Sequence, residues 1–300
     1  RQFLKVLIIY SLFTILIFFI LNVSGLRLFD SLNLSMSLIS SGGFLPSNFL
    51  EEIIITDNQI FIFSNLMLFS FFNLYLLYNL FSNKHEKKFY QEDIFLFFYF
   101  ISLLIILFIF FNNNMSYQKI YLSLTSTISN NGISLQNSPK DLSILFLFLA
   151  IIGGGLFSNS SGLKFIKFTL LIKYSLNELF LTARPKYILN SNLFFSSLKI
   201  EFDEISKYFL SFLFFVILFF ILSLLLVLFN VKFQDSVILS ILTLTNTVNS
   251  SIYNLEFFDF NYLNNLPKII LIFFMIVGRI EILTFLILIK KFFFKNYFKL

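Results

Sequence analysis

Cysteine and tryptophan are absent from this 300-residue chain, histidine occurs once, and charged residues make up only 13% of it. Without cysteine there is no disulfide and no thiolate nucleophile, and zinc would have to be held without sulfur. The single histidine, His85, lies in the charged segment "NKHEKK", where a solvated side chain is the simplest reading. No paired carboxylates share a helix face, no Ser/His/Asp set is present, and no Gly-Lys-Ser/Thr phosphate cradle occurs. An enzyme would have to be built from almost nothing.

What is present is apolar surface. Hydrophobic residues reach 58%, 48 of them Phe, and the mean hydropathy is +0.87, whereas an average soluble domain carries roughly 25% charged residues. Six apolar runs, near 4–22, 58–82, 94–112, 141–173, 207–230 and 268–290, have about the 20 residues needed to cross about 30 Å of hydrocarbon. The expectation is an all-α integral membrane protein with lipid as its surroundings.

Charge sets the expected orientation. Of the 22 Lys and Arg, 16 fall on the side that holds both termini if the first run leaves the cytoplasm. Five fall opposite, and Arg279 lies inside a run. The positive-inside rule then places both termini in the cytoplasm. Asp30, Glu51, Glu52, Asp57, Asp141, Asp235, Glu256 and Asp259 collect on the outer side, which favours cations over anions there. The net charge of +6 is thus distributed as a membrane topology signal, and nucleic acid is not an expected partner.

Between successive pairs of runs the outer connections repeat. "FDSLNLSMSLISSGGF" (29–44), "QKIYLSLTSTISNNGI" (118–133) and "FQDSVILSILTLTNTVNSS" (233–251) each read as a half-length helix entering a polar tetrad. The tetrads are Ser40-Ser41-Gly42-Gly43, Ser129-Asn130-Asn131-Gly132 and Asn246-Thr247-Val248-Asn249. The unit is span, half-helix, extended polar strand, span. Non-helical backbone at membrane depth is tolerated only where it is buried in protein or lines a watery cavity. A half-helix entering from outside aims the negative end of its dipole at the membrane centre, which attracts a cation. Carbonyls of the following strand can replace an ion's hydration shell if they all face one way, which needs backbone angles that Gly permits; Gly43 and Gly132 are placed for this. A single Ser-Gly-Gly is more often an outer turn, but three equivalent copies favour a filter.

These segments resemble the Trk/Ktr/HKT superfamily of potassium transporters, and most closely its bacterial TrkH type, over nearly the whole chain. "SGLRLFDSLNLSMSLISSGGFLPSN" is similar to the family's second pore segment, "IIGGGLFSNSSGLKFIKFTLLIKYSLNEL" to the signature after the third, and "LPKIILIFFMIVGRIEILTFLILI" to the last helix. The resemblance implies a potassium-channel-like fold of four such units around a pseudo-fourfold axis, of which this chain carries the last three. They are 1–82, 94–174 with a broken second helix, and 207–300, joined by a cytoplasmic loop at 83–93 and a cytoplasmic linker at 175–206. The first unit is expected to be missing from this sequence.

The run 141–173 would be about 50 Å long as one helix at 1.5 Å per residue, well beyond a bilayer. In its middle lies "GGGLFSNSSG", whose Gly residues cost up to about 1 kcal/mol each in a helix and whose Ser and Asn compete for backbone partners. A break is expected there. The resemblance implies an intramembrane gate loop of Gly153, Gly154, Gly155, Phe157, Ser158, Asn159, Ser160, Ser161, Gly162 and Lys164 below the filter. Phe157, Ser160 and Ser161 stand where the family has Gly. Lys164 and Lys167 fit the end of the signature, with snorkelling to the cytoplasmic interface as the alternative, preferred for Lys167.

Arg279 and Glu281 sit mid-span, at about 2.5–3.5 kcal/mol for an Arg at helix centre. Two residues apart, they point to opposite faces. Glu281 reads as an interhelical pair, while the resemblance gives Arg279 the role of a positive barrier beneath the filter. Asn249 stands where the family's last pore has Gly, which the resemblance links to weaker preference for potassium over sodium. The expected function is potassium uptake across the bacterial plasma membrane through filter backbone carbonyls, with K+ as cargo and no cofactor. The resemblance also implies a homodimer and a cytoplasmic nucleotide-binding, TrkA-like regulatory subunit docking on the basic inner segments around 173–207. A less selective cation pathway, an alternating-access solute transporter and a non-conducting paralogue are the competing expectations. Alternating-access proteins usually show inverted repeats, and these three run in one direction.

Overall fold

The structure, a computed structural model, describes residues 2–73, 87–110, 116–135, 142–183, 202–248, 250–255, 258, 260–280 and 284–285. The described elements are α1 (Gln2–Val23), α2 (Leu28–Ile39), α3 (Asp57–Phe71), α4 (Lys87–Phe110), α5 (Tyr117–Ile128), α6 (Ser143–Ile151), β1 (Ile152–Gly153), β2 (Leu163–Lys164), α7 (Phe165–Ala183), α8 (Phe202–Leu228), α9 (Phe233–Leu244) and α10 (Asn265–Arg279). The one departure from an all-helical architecture among the described residues is the two-residue parallel pair, in register Ile152 with Leu163 and Gly153 with Lys164.

Each half-length helix packs between the helices that flank it in sequence: α2 on α1 and α3, α5 on α4 and α6, α9 on α8 and α10. The contact between neighbouring groups also recurs, because α3 packs on α5 and α6 on α9. The burial pattern follows from this arrangement. In α1 a four-residue stripe, Ile9, Phe13, Ile17 and Leu21, is buried while Leu7, Ile8, Leu12, Ile15 and Phe19 are exposed, the face that hydrocarbon would cover. In α5 every residue from Leu122 to Ile128 is buried. Three of its hydroxyls are accommodated by its own backbone: Ser123 donates to Lys119 O, Thr125 to Tyr121 O and Thr127 to Ser123 O, so small polar residues let helices approach closely, while Ser126 Oγ is buried without a partner among the described residues.

Three helices are long and apolar enough to cross a membrane among the described residues: within α1, α4 and α8. Of the other three expected spans, two are interrupted and one is described only in part. α3 opens with a capping box, Gln59 N–H to Thr56 Oγ1 and Thr56 N–H to Gln59 Oε1, but ends at Phe71, where Phe72 turns extended; 74–82 lies outside the described residues. The run 141–173 divides into α6 and α7 around residues 152–164, and the second part continues to Ala183, into the stretch read as linker. α10 is described to Arg279, and Glu281 lies outside the described residues. One boundary moves in the other direction: α4 begins at Lys87, within the stretch read as a loop.

Candidate ion filter and intramembrane loop

The three half-length helices end alike. Ser40, Ser129 and Thr245 close them in right-handed geometry, with φ of −81°, −84° and −90°. The next residue is left-handed in each: Ser41 at 44°, Asn130 at 56° and Asn246 at 50°. The residue after that donates its N–H five residues back, Gly42 to Ser37 O, Asn131 to Ser126 O and Thr247 to Leu242 O, at 2.8–3.0 Å, the helix-ending hydrogen bond that satisfies an orphan carbonyl. The fourth residue is left-handed again in two copies, Gly43 at 68° and Gly132 at 73°. The tetrads are therefore not the uniformly extended strands expected. In the first two copies φ alternates in sign along the tetrad, while among its described residues the third has a positive φ at Asn246 alone.

This geometry shifts the register of the third copy. Its helix ends at Thr245, so Thr245-Asn246-Thr247-Val248 lines up with the other two tetrads, one residue earlier than the sequence comparison placed it. Val248, not Asn249, stands level with Gly43 and Gly132 when counted from the helix ends, and it is not among the positive-φ residues. Asn249 itself lies outside the described residues. The missed signal is the hydroxyl at each helix end: Ser40, Ser129 and Thr245 each bond back to their own helix.

The tetrads converge. A Cβ on Gly132 would lie 2.2 Å from Val248 O, and one on Gly43 would lie 1.8 Å from Asn131 O and 2.6 Å from Val248 Cγ2. These glycines are required by positive φ and by contact with a neighbouring strand. Above them opens a cavity of about 660 Å³ lined by Phe44, Ser47, Asn48, Ile133 and Ser250. The left-handed side chains fasten the tetrads outward, Asn130 Nδ2 to Ala150 O (2.8 Å) at the end of α6 and Asn246 Nδ2 to Met275 O (2.9 Å) on α10. Asn is the non-glycine residue best suited to such angles.

Ser41 Oγ instead reaches the loop between β1 and β2, donating to Asn159 O at 2.8 Å. This loop is the expected break. Its base is closed by the strand pair and by Phe165 N–H to Gly154 O at 3.1 Å. It rests on the end of α3, whose last carbonyls lack helical partners: Gly155 N–H donates to Phe71 O and Ser160 N–H to Ser70 O, both at 3.0 Å. A Cβ on Gly154 would meet Phe71 O at 2.1 Å, so only Gly lets the two backbones touch. The tip also meets the end of α2 just before the first tetrad, where Asn159 Nδ2 donates to Ile39 O.

The charged residues organise the loop. Lys164 is buried, and its ammonium donates to Ser158 O and Ser160 O at 2.9 Å and to Ser158 Oγ at 3.2 Å; it does not snorkel. Arg279 bridges loop and tetrad, Nη1 to Asn159 O (3.0 Å) and Ser161 Oγ (3.1 Å), Nη2 to Ser40 O (2.8 Å). One carbonyl expected to face ions, that of Ser40, is thus occupied by guanidinium. Arg279 also lines a second cavity of about 780 Å³ beside Ser40, Gly42, Asn246 and Thr247. The serines that replace glycine are used: Ser160 Oγ accepts Gly154 N–H at 2.7 Å and Ser161 Oγ accepts from Arg279. Phe157 is half exposed at the tip.

Three participants were not singled out from sequence. Glu92 and Asp93, assigned to a loop, are buried in α4, accepting Leu156 N–H (2.8 Å) and Asn73 N–H (3.1 Å). Gly278 brings α10 against Leu244 O at the end of α9, which sets Arg279 beside the loop. Two acidic residues adjoining the start of an apolar run were a visible signal; the contact of Gly278 had none.

No family model matches the chain. It is 27% identical over 308 aligned residues to the Trk system potassium uptake protein TrkG of Escherichia coli (strain K12), covering 96% of this chain and 61% of that protein. The structure resembles the crystal structure of the potassium transporter TrkH from Vibrio parahaemolyticus with a TM-score of 0.83 and 22% identity, over 95% of this chain and 63% of that one. The chain thus spans about three fifths of the length of the proteins it matches. A multi-pass membrane protein, it is similar as a distant relative, over nearly its whole length, to the TrkG/TrkH-type Trk potassium transporters.

Proposed function

We propose that the protein takes part in potassium uptake across a bacterial plasma membrane. Ions pass between the carbonyls of residues 40–43, 129–132 and 245–249, and the loop 153–164 opens and closes the path below them. The observation that carries this reading is the single hydrogen-bonded junction of tetrad, loop tip and Arg279, three elements about 120 and 240 residues apart in sequence that meet at Asn159 O and Ser40 O. The ends of α2, α5 and α9 add about half a negative charge each at the tetrads, and the guanidinium offsets it from below. In this arrangement the loop is closed. Opening requires the tip to leave Ser41 and Arg279, and the charge of Arg279 then limits flux. Cytoplasmic termini, a homodimer and a nucleotide-binding TrkA-like subunit on the basic segments around 173–207 belong to the same proposal.

Val248 favours one variant of it, a pathway that discriminates less between potassium and sodium, because a branched side chain replaces Gly where the strands meet. The test is rubidium uptake with sodium competition in potassium-transport-deficient cells expressing the full-length protein, alongside Val248→Gly and Asn249→Gly. Saturable uptake that sodium inhibits less in Val248→Gly than in Asn249→Gly supports both the pathway and the helix-end register. The reverse order supports the register one residue later. Absence of flux in all three despite membrane insertion overturns the pathway.

A further inference from the structure

Glu92 is buried on α4, yet its carboxylate meets no residue of the tetrads. Its Oε1 accepts the N–H of Leu156 at 2.8 Å, and Lys164 lies close enough to attract it. A carboxylate placed among apolar residues is costly unless it is hydrogen-bonded and a cation is near, and the loop supplies the donor to Oε1 and the nearest cation, Lys164. Its neighbour Asp93 accepts Asn73 N–H just past the end of α3. The first turns of α4 therefore take up the donors of two interrupted backbones.

The loop has two unequal halves. The half around Gly153–Leu156 is braced within the loop by the strand pair and Ser160 Oγ and tied to the body of the protein by Phe71 O and Glu92. The tip, Phe157–Asn159, is tied through Asn159 to what it would have to leave, Ile39 O, Ser41 and Arg279, and through Ser158 to the loop's own Gly155 O and Lys164. Leu156 is the joint between them, and the bond to Glu92 is the last fixed point before the tip.

We propose that Glu92 is a positioning residue for gating: by holding Leu156 N–H it confines opening to the tip and keeps the resting loop seated beneath the first tetrad. This rests on the loop being the gate. Loss of the acceptor lets the movement spread into the base, so the loop leaves its seat more often at rest, while the tetrads are untouched.

The chain's lack of cysteine allows a direct test. In the full-length protein, with any cysteine outside these residues replaced, Phe157→Cys reports tip exposure through its rate of modification by a charged thiol reagent, measured beside basal rubidium flux and sodium competition. Glu92→Ala is expected to raise labelling and basal flux several-fold with sodium competition unaltered. Glu92→Gln, whose amide oxygen can still accept from Leu156, is expected to restore most of the protection. Glu92→Gln labelling as fast as Glu92→Ala overturns the hydrogen-bond role. If Glu92→Ala does not reach the membrane, Glu92→Asp, one methylene shorter and still charged, must show the rise, and labelling equal to the parent overturns the proposal. Arg279→Ala separates the two readings. If it raises flux and labelling while the Glu92 variants do not, only the role of Glu92 fails; if neither has an effect, the gate reading fails with it.

Discussion

The tetrads and the loop are both irregular backbone inside an apolar protein, but they are held in opposite ways. Each tetrad is shaped by its own half-helix, through a hydrogen bond five residues back and a left-handed residue directly after the helix end. The loop is shaped by others: α3 carbonyls, the Glu92 carboxylate, Ser41 and Arg279, at separations of 64 to 120 residues. Backbone that sets its own geometry is rigid wherever it is placed. Backbone held by distant groups has as many release points as holders, which suits a part that must move.

Breaking a tetrad should therefore have the larger effect. Gly132→Ala puts a methyl group 2.2 Å from Val248 O at a φ of 73°, where something must shift and the left-handed region adds roughly 1–2 kcal/mol. It is expected to abolish rubidium uptake without preventing membrane insertion. Gly42→Ala meets nothing closer than Ser40 Oγ at 3.0 Å and has no positive φ, so it should retain substantial uptake. Equal losses in the two would mean that the tetrads do not carry the ion.

Breaking a holder of the loop should act in the other direction. Arg279→Ala removes two hydrogen bonds to the loop, at Asn159 O and Ser161 Oγ, and one to the first tetrad, at Ser40 O. At about 1.5–3 kcal/mol for each bond to a charged group, lessened by access from the neighbouring cavity, basal rubidium flux should rise by about tenfold or more. A fall in flux at normal expression would give Arg279 an architectural role in place of a barrier.

The same contrast explains what could be read in the sequence. The half-helices and the tetrads rest on local patterns, a helix-forming stretch running into Ser, Asn and Gly, and local patterns suffice because the backbone there is self-determined; the glycines near 153–164 likewise announced a break, but not what holds it. The third tetrad was displaced by one residue because Asn-Thr-Val-Asn has no glycine to fix its register, and the hydroxyl of Thr245 was the better marker. The seating of the loop was not legible, since Glu92, Ser70 and Phe71 belong to other helices and α3 stops at Phe71 without a proline or glycine to announce it. Ser160 and Ser161 looked like defects in a glycine pattern, and their use as acceptors depends on where Gly154 and Arg279 sit.

Those serines give the smallest expected effect and the finest test of the contrast. Ser160 Oγ accepts the buried Gly154 N–H at 2.7 Å and lies 2.9 Å from Ser158 Oγ. Removing it leaves a buried donor without its acceptor, at about 1–3 kcal/mol, charged to the closed loop alone if the open loop hydrates that group. Ser160→Ala should then raise basal flux a few-fold, less than Arg279→Ala, with sodium competition unchanged. Ser160→Gly removes the same hydroxyl and adds backbone freedom, so it should exceed Ser160→Ala. If the two match, the hydroxyl alone holds the loop; if Gly lowers flux instead, the serine serves opening and the loop is not held shut at that point.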